Sequence, residues 1–215
     1  MPNSLPTCLD RRAFFESLQN MIEESAGRHE PLAVLIVDLD RFGEINQVLG
    51  HRVGDLLLEQ VNERLRGMLR QNDALARIGD DEFGVLLASV MNIGHTMLAA
   101  SKIQSIINDP FVIGGHRLNV KASVGIALFP QHGADSYQLM QRADTALSVA
   151  KRSGSGFSIY DKEDNDGDGS QFSLESELRA AIGEGDLELV YQPKIDLRSG
   201  QIGGLEALVR WHSPT

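Results

Sequence analysis

The sequence predicts a mixed α+β fold, because short aliphatic segments alternate with longer segments of helical periodicity. The clearest strand is residues 32–37, an aliphatic run that leads into Asp38-Leu39-Asp40. The clearest helix is residues 53–69, where apolar side chains recur at every third or fourth position. Two apolar segments, 74–78 and 83–87, flank a short polar turn, and this pattern indicates a β-hairpin.

The remaining elements follow from the same criteria. A first helix is expected after Asp10, a residue type that caps helix N-termini. Further helices are expected at 93–107 and 137–151, and further strands at 111–113, 118–128 and 157–160. The chain order β-α-β-β-α-β, with a trailing helix and strand, is that of the split βαβ or ferredoxin-like arrangement, which has a central antiparallel sheet and flanking helices.

This order places acidic residues from distant parts of the chain together. The crossover makes the first two strands parallel, and the third strand runs back between them. Asp38 and Asp40 should therefore lie beside Asp81 and Glu82 of the hairpin turn. Clustered carboxylates repel one another unless a cation joins them, and Mg²⁺ suits such ligands and also binds phosphate oxygens. The pattern is thus typical of metal-assisted phosphoryl or nucleotidyl transfer, unless the acidic residues reflect only the polarity of turns.

Composition limits the classes of function. The 215 residues are 42% hydrophobic and 23% charged, which is typical of a soluble globular protein. The net charge of −10 argues against non-specific nucleic-acid binding but not against nucleotides. Cys8 is the only cysteine, which favours a reducing, cytoplasmic location. No apolar run is long enough for a bilayer and no signal peptide is evident, so no membrane contact is expected.

A change of composition predicts the domain organisation. Residues 161–170 contain no apolar side chain, which indicates a linker. We therefore predict a domain over residues 1–160, an acidic linker over 161–173, and a short α/β fragment over 174–215. The fragment should contain a helix at 174–182 and strands near 187–192 and 202–209.

The linker also carries the spacing of a calcium-binding loop. The residues at positions 1, 3, 5, 6 and 12 of an EF-hand-like loop are Asp164, Asp166, Asp168, Gly169 and Glu175. Gln171 stands where an aliphatic residue is usual, and the preceding segment is a predicted strand instead of a helix. The alternative to a Ca²⁺ site is a flexible acidic linker.

Several motifs together resemble a known family. The segment Arg77-Ile78-Gly79-Asp80-Asp81-Glu82-Phe83 resembles the RxGGDEF signature of diguanylate cyclase domains. Other segments that are similar to this family are 10–14, 38–42, 45–46, 49–51, 54–55, 143–147 and 150–151. They occur in the right order over residues 5–160, so this part of the chain is identified as a GGDEF-like domain with a nucleotidyl cyclase, or palm-like, fold.

The resemblance implies a role for each matching residue. Asp38, Asp81 and the Leu39 carbonyl would hold Mg²⁺, and Glu82 would assist the attacking hydroxyl or the metal. The guanine edge would be read by Asn46 and Asp55, and the triphosphate would meet Lys151 and the turn at Gly79 and Asp80. Because cyclic di-GMP is a symmetric product of two GTP molecules, two such domains would meet as a homodimer. From the residues alone, Asn46 or Asp55 could instead be helix N-caps, and Lys151 could belong to a solvated helix face.

The chain also departs from the family pattern. Asp80 replaces the second glycine of the signature, which adds a negative charge beside the expected phosphates. Gly43 and Ser155 replace a common lysine and arginine, Ser148 replaces a common tyrosine, and Pro6 disturbs the turn before the first helix. We therefore predict weak or absent cyclase activity in a domain that still binds GTP or cyclic di-GMP.

Two further resemblances concern regulation. Arg70 and Asp73 form an RxxD motif five residues before Gly79, which resembles the family's inhibitory product site, although RxxD is also common at helix ends. Residues 187–193 and 206–211 resemble the start of an EAL phosphodiesterase domain, with Gln192, Glu206 and Arg210 at ligand, metal and phosphate positions.

The EAL-like segment predicts a multidomain parent protein. We expect a hybrid of GGDEF and EAL domains with a separate sensor, and no phosphodiesterase activity from the truncated segment. Two alternatives remain open at this point, namely an active homodimeric cyclase and a dimerisation scaffold that binds no nucleotide.

Overall fold

The computed structural model describes residues 9–28, 30–161, 187–197 and 199–211. Contacts between residues divide the chain into two compact units, one ending at Asp164 and the other beginning at Asn165. This division falls within the predicted linker. The units are described separately below.

The first unit contains the predicted alternation of helices and strands. Its elements are α1 Arg11–Arg28, β1 Leu32–Leu39, α2 Phe42–Leu49, α3 His51–Met68, β2 Ala74–Arg77, β3 Glu82–Leu87, α4 Ile93–Asn108, β4 Phe111–Ile113, β5 His116–Leu118, β6 Ala122–Phe129, α5 Ser136–Ser153 and β7 Phe157–Ile159. As predicted, Asp10 caps α1, since its Oδ1 accepts a hydrogen bond of 2.8 Å from the Ala13 N–H.

A five-stranded sheet forms the centre of this unit. Its strand order is β2-β3-β1-β6-β7. Strand β3 runs antiparallel to both β1 and β2, so it lies between two parallel strands as the crossover rule requires. Strand β6 is antiparallel to β1, and β7 is parallel to β6. The predicted α+β fold with a central antiparallel sheet and flanking helices is therefore confirmed, and the edge strand β7 adds one parallel pair.

Helices cover both faces of the sheet. All eight residues of β1 are buried, which explains why the strand is a continuous aliphatic run instead of an alternating one. Val34 and Ile36 face a core that includes side chains of α1 and α5, whereas Leu35 and Val37 face a core that includes side chains of α3 and α4. Because side chains alternate along a strand, Asp38 belongs to the α1 and α5 face.

Two glycines allow the helices of one face to approach the sheet closely. A Cβ at Gly125 in β6 would lie 2.1 Å from the Ala143 carbonyl oxygen of α5. A Cβ at Gly84 in β3 would lie 2.5 Å from the Phe14 ring of α1. Both positions thus require the absence of a side chain, and they fix how near α5 and α1 lie to the acidic edge.

The structure differs from the sequence prediction in two places. The single strand expected at 118–128 is two strands, because β5 pairs with β4 in a hairpin and leaves the central sheet before β6 begins. Gly114 and Gly115 form this hairpin turn with φ angles of 58° and 85°. The helix expected at 53–69 begins at His51 and is preceded by the separate helix α2, since Gly50 adopts a φ of 85° between them.

The second unit contains an antiparallel hairpin of β8 Leu187–Ile195 and β9 Ile202–Trp211. Both strands were expected from the sequence, and both are longer than predicted. The helix expected at 174–182 lies outside the described residues. Within the described part of the chain, no helix combines the length and the apolar character needed to cross a bilayer.

Candidate functional site

The carboxyl end of β1 lies against the turn of the β2–β3 hairpin. Asp38 pairs in register with Glu82, and the Leu39 N–H donates a hydrogen bond of 3.2 Å to the Asp81 carbonyl oxygen. Residues more than forty positions apart in the sequence are thus neighbours, as the strand order predicts. The Leu39 carbonyl and the Asp38 and Asp81 carboxyl groups belong to this one edge of the sheet.

A lysine from α5 neutralises the most buried of these carboxylates. Lys151 Nζ lies 2.6 Å from Asp38 Oδ2, and the exposed fractions of the two side chains are 43% and 9%. Burial raises the pKa of Asp38, while the hydrogen bond and the charge of Lys151 partly oppose that rise. The carboxylate thus sits where its charge is costly and where it requires a nearby cation.

Two further carboxyl groups on the same face also have raised pKa values. Burial raises the pKa of Glu82, and the negative charges of Asp38 and Asp81 raise it further. Although Asp144 of α5 is an exposed residue, protein atoms crowd its carboxyl group and, with the charge of Glu82, raise its pKa to about 6. Asp144 has no role among the predicted site residues, although it lies in one of the motifs that carry the family resemblance.

The hairpin turn accommodates Asp80 without backbone strain. Arg77 holds the turn by donating hydrogen bonds from Nε to the Gly79 carbonyl at 3.2 Å and from Nη2 to the Asp80 carbonyl at 2.7 Å. Asp80 is exposed, and it is not among the described residues with a positive φ. A Cβ at Gly79, in contrast, would lie 2.6 Å from Glu82 Oε2. The backbone of the turn therefore does not require glycine at position 80.

The proposed guanine-reading residues lie inside helices and are not N-caps. Asn46 is in the middle of α2, and Asp55 is the fifth residue of α3, where its side chain is exposed. Among the described residues, Asn46 Oδ1 is buried without a hydrogen-bond partner, and it packs against Gly54, where a Cβ would clash with it. A base that accepted or donated a hydrogen bond here would require the Asn46 amide to turn away from Gly54.

A cleft of about 950 Å³ opens beside Asp38. It is lined by Asp38, Asp40, Arg41, Glu44, Ile45, Gln104, Asn108, Asn119, Lys121, Ala122, Ser123, Lys151, Gly154, Ser155 and Gly156. Its volume falls at the upper end of the range of small-molecule sites. Asn46 and Asp55 do not line this cleft, so a nucleotide that contacts them would extend beyond it.

Asp40 is held by hydrogen bonds to the segment at the start of β6. Its Oδ1 accepts a hydrogen bond of 2.8 Å from Ser123 Oγ, and its N–H donates one of 2.9 Å to the Lys121 carbonyl oxygen. These bonds tie the end of β1 to the start of β6. No sequence signal identified Ser123 or Lys121 as part of the site, since both belong to the segment 118–128, which was predicted simply as a strand.

The residues present fit a Mg²⁺ ion that a nucleotide helps to hold. Among the described residues, no group of three or more His, Cys, Asp or Glu side chains is arranged to bind a metal by itself. Two carboxylates and one carbonyl instead leave coordination positions for phosphate oxygens and water, which is how Mg²⁺ is usually bound with nucleotides. The buried Asp38 carboxylate, now paired with an ammonium group, fits such a cation.

The RxxD residues border a second and smaller cavity. Its volume is about 250 Å³, and its lining includes Arg70, Asp73, His95 and Lys102. Asp73 accepts hydrogen bonds from the Arg70 N–H at 2.9 Å and from the Ala88 N–H at 3.1 Å, so both of its carboxylate oxygens serve the local backbone. The Arg70 side chain is exposed and available to a ligand. Arg70 and Asp73 thus both border this cavity, and Asp73 also stabilises the surrounding backbone through its two hydrogen bonds.

The remaining predicted residues lie in the other unit or outside the described residues. Gln192 and Glu206 face each other across the β8–β9 hairpin, and Lys194 Nζ lies 3.4 Å from Glu206 Oε2. Arg210 is exposed on β9. The four proposed calcium ligands lie outside the described residues, and these are Asp164, Asp166, Asp168 and Glu175.

Comparison with known proteins assigns the family. The family model for the diguanylate cyclase GGDEF domain matches residues 5–156. MucR of Pseudomonas aeruginosa, a bifunctional diguanylate cyclase/cyclic di-GMP phosphodiesterase, is 37% identical over 206 residues, which are 95% of this chain and 30% of that protein. PdeR of Escherichia coli K12, a cyclic di-GMP phosphodiesterase, is 38% identical over 201 residues, which are 92% of this chain and 30% of that protein.

A solved structure supports the same assignment. The GGDEF domain of YfiN from P. aeruginosa has a TM-score of 0.71 and 34% identity, and the match covers 73% of this chain and 99% of that one. The chain spans about 30% of the length of the curated relatives MucR and PdeR. On the family match, the sequence identity and the shared fold, this chain belongs to the GGDEF domain family of diguanylate cyclases.

Proposed function

We propose that this chain is the GGDEF part of a cytoplasmic cyclic di-GMP signalling protein, in which it binds GTP or cyclic di-GMP and regulates an attached EAL domain. The observation that supports nucleotide binding is the convergence of Asp38, the Leu39 carbonyl and Asp81 at one sheet edge, with the Lys151 ammonium 2.6 Å from Asp38. A buried carboxylate that needs a cation is of use to a domain that binds metal and phosphate, whereas a scaffold would have no need of it.

Each residue at this edge has a role in the proposal. When bound, Mg²⁺ would offset the negative charge of the triphosphate. Asp38, Asp81 and the Leu39 carbonyl would hold that ion, and Lys151 would turn from Asp38 to the phosphates. Glu82, whose raised pKa makes it a better proton acceptor, would take the proton of the attacking hydroxyl.

The same geometry leads us to propose impaired cyclase activity. Asp80 brings a carboxylate to the hairpin tip, next to Asp81. A like charge about 4 Å from a phosphate oxygen costs about 1 kcal/mol in water and about 4 kcal/mol at an effective dielectric constant of 20. This corresponds to a loss of between about fivefold and a thousandfold in affinity or rate. The unstrained turn leaves charge as the reason for the loss.

Turnover of GTP to cyclic di-GMP tests this proposal, with wild type, Asp80→Gly and Asp80→Asn compared at saturating Mg²⁺. Both substitutions should raise turnover by about fivefold or more, because both remove the charge. Asp80→Asn is the matched control, since it keeps the size of the side chain. High turnover by the wild type would instead establish the second candidate, an active homodimeric cyclase, which the similarity to MucR favours. Absence of GTP and cyclic di-GMP binding by the wild type would leave the scaffold.

We also propose that Arg70 binds cyclic di-GMP at the smaller cavity. Arg70→Ala should weaken cyclic di-GMP binding, because it removes the guanidinium group. It should leave the fold intact, because the hydrogen bonds of the Asp73 carboxylate go to backbone N–H groups, which the substitution retains. Asp73→Asn should also lower thermal stability, since it weakens the two backbone hydrogen bonds. Equal calorimetric affinities of wild type and Arg70→Ala would reject this site.

Two further proposals concern the rest of the chain. Gln192, Glu206 and Arg210 would belong to an EAL domain of the full-length protein, and the segment alone should show no phosphodiesterase activity. Calcium binding by Asp164, Asp166, Asp168 and Glu175 is tested by calorimetry on wild type and Asp164→Ala. No heat at millimolar Ca²⁺ would end that idea.

A further inference from the structure

The large cleft contains three cationic side chains, and their surroundings differ. Lys151 is paired with Asp38 at 2.6 Å, and Arg41 Nη1 lies 4.0 Å from Glu44 Oε2. Within the part of the chain that the structure describes, the Lys121 ammonium group has no ion pair and no hydrogen bond, although carboxylates line the same cleft. Lys121 is therefore the cation in this cleft whose charge no other group of the described residues balances.

The backbone of Lys121 is held firmly beside the acidic edge. Its carbonyl oxygen accepts the Asp40 N–H at 2.9 Å, and Ser123, two residues further on, donates to Asp40 Oδ1 at 2.8 Å. The Lys121 backbone is thus held beside the end of β1, and its side chain is exposed. A positive charge so placed in a chain with a net charge of −10 marks a local site for an anion.

The neighbouring loop supplies no competing positive charge. Residues 154–156 line the same cleft, but they are glycine, serine and glycine. Ser155 Oγ is already bonded to the Phe157 carbonyl and to Ser153 Oγ, each at 2.9 Å. Gly43 of α2 likewise has no side chain to offer. An anion that entered beside Lys151 would therefore find its second lysine at position 121.

We propose that Lys121 binds the terminal phosphate of a nucleoside triphosphate whose metal is held at Asp38 and Asp81. This inference rests on the proposed nucleotide binding and adds a residue to it. The ammonium group offers three hydrogen-bond donors, which suit a phosphate at the end of a polyphosphate chain. Lys121 thereby distinguishes the triphosphate from the diphosphate.

The test compares the Mg²⁺ complexes of GDP and of the non-hydrolysable analogue guanosine 5′-[β,γ-imido]triphosphate by calorimetry. Lys121→Ala should weaken binding of the triphosphate by about tenfold or more, which is the usual effect of losing a charged hydrogen bond. Binding of GDP should change by about twofold or less, because GDP lacks the phosphate that Lys121 contacts. Lys121→Arg should retain the preference for the triphosphate.

The control is Arg66→Ala, which removes one positive charge from an exposed position on α3 that does not line the cleft. Arg66→Ala should change neither the affinity for GDP nor that for the triphosphate analogue, and thermal unfolding should show that all variants fold. If Lys121→Ala keeps the wild-type ratio of triphosphate to diphosphate affinity while the wild type binds, this inference alone fails. If the wild type binds neither nucleotide, the GTP binding on which this inference rests fails together with it, and cyclic di-GMP binding is tested separately.

Discussion

The ion pair between Lys151 and Asp38 offers the sharpest test of how the acidic edge is stabilised. We consider Lys151→Met, which keeps most of the apolar stem and removes the ammonium group. In the absence of metal, Asp38 then has no cation beside it. We expect the variant to be less stable than wild type at pH 7 and to regain part of the lost stability when Mg²⁺ is added with a guanine nucleotide.

The size of the effect follows from the distance and the burial. At 2.6 Å, two unit charges attract by about 1.6 kcal/mol in water and about 6 kcal/mol at an effective dielectric constant of 20. Removing one partner costs about 3–5 kcal/mol in a fully buried pair, and an exposed pair contributes about 0.2–1 kcal/mol. Because Lys151 remains 43% exposed, we expect a loss of about 2 kcal/mol in the free energy of unfolding.

The dependence on pH identifies the cause. Burial already raises the pKa of Asp38 in the folded state, and loss of Lys151 raises it further. The ionised carboxylate therefore destabilises the variant more than the wild type. This difference is complete above the variant's folded pKa, and it disappears as pH falls below the wild-type folded pKa, where Asp38 is protonated in both proteins.

Urea denaturation across this pH range provides the measurement, with Asp38→Asn and the double variant Asp38→Asn/Lys151→Met as controls. In the Asp38→Asn background the lysine should contribute little to stability. A destabilisation by Lys151→Met that is independent of pH, or that persists unchanged without Asp38, would refute the reasoning.

Three other predictions test contacts elsewhere in the first unit. Arg64 donates hydrogen bonds to the Ile106, Asp109 and Pro110 carbonyls and lies 3.6 Å from the centre of the Phe111 ring. Arg64→Met should therefore lower the free energy of unfolding, measured by urea denaturation, by about 2 kcal/mol. An unchanged denaturation midpoint would contradict the role of Arg64 as a cap on α4. Because the pKa of Asp144 is raised to about 6, Asp144→Asn should stabilise the fold at pH 7 by about 1 kcal/mol after allowance for solvent, and the gain should vanish below about pH 4. Gly125→Ala should lower stability by about 3 kcal/mol, since its Cβ meets the α5 backbone at Ala143, and calorimetric unfolding like that of the wild type would show that α5 can move away.

Much of the fold was accessible from the sequence because its signals are local. The aliphatic run of β1, the periodicity of α3 and the polar turn between β2 and β3 each identify an element, and chain order with crossover handedness then sets the arrangement of the first three strands. The prediction of one strand at 118–128 was wrong. Residues 116–118 and 122–129 have the same strand character, and only their different pairing partners separate them.

Some features of the candidate site were likewise predictable from the sequence, and others were not. The motif residues Asp38, Asp81 and Glu82 are visible in the sequence, and their proximity follows from strand order. The pairing of Lys151 with Asp38, the position of Lys121 in the same cleft and the crowding of Asp144 depend on side chains that converge from different elements. No local pattern encodes those distances.

By itself, the sequence determined the family, the order of the elements and the sheet edge at which the acidic residues meet, because these depend on residue type and on chain connectivity. Only the tertiary structure decided which carboxylate is buried beside a lysine, that the turn accepts Asp80 without strain, and that Asp73 accepts hydrogen bonds from backbone N–H groups on two sides. Burial and the electrostatic interactions between charges depend on distances through space, and those distances exist only once helices and strands have packed together.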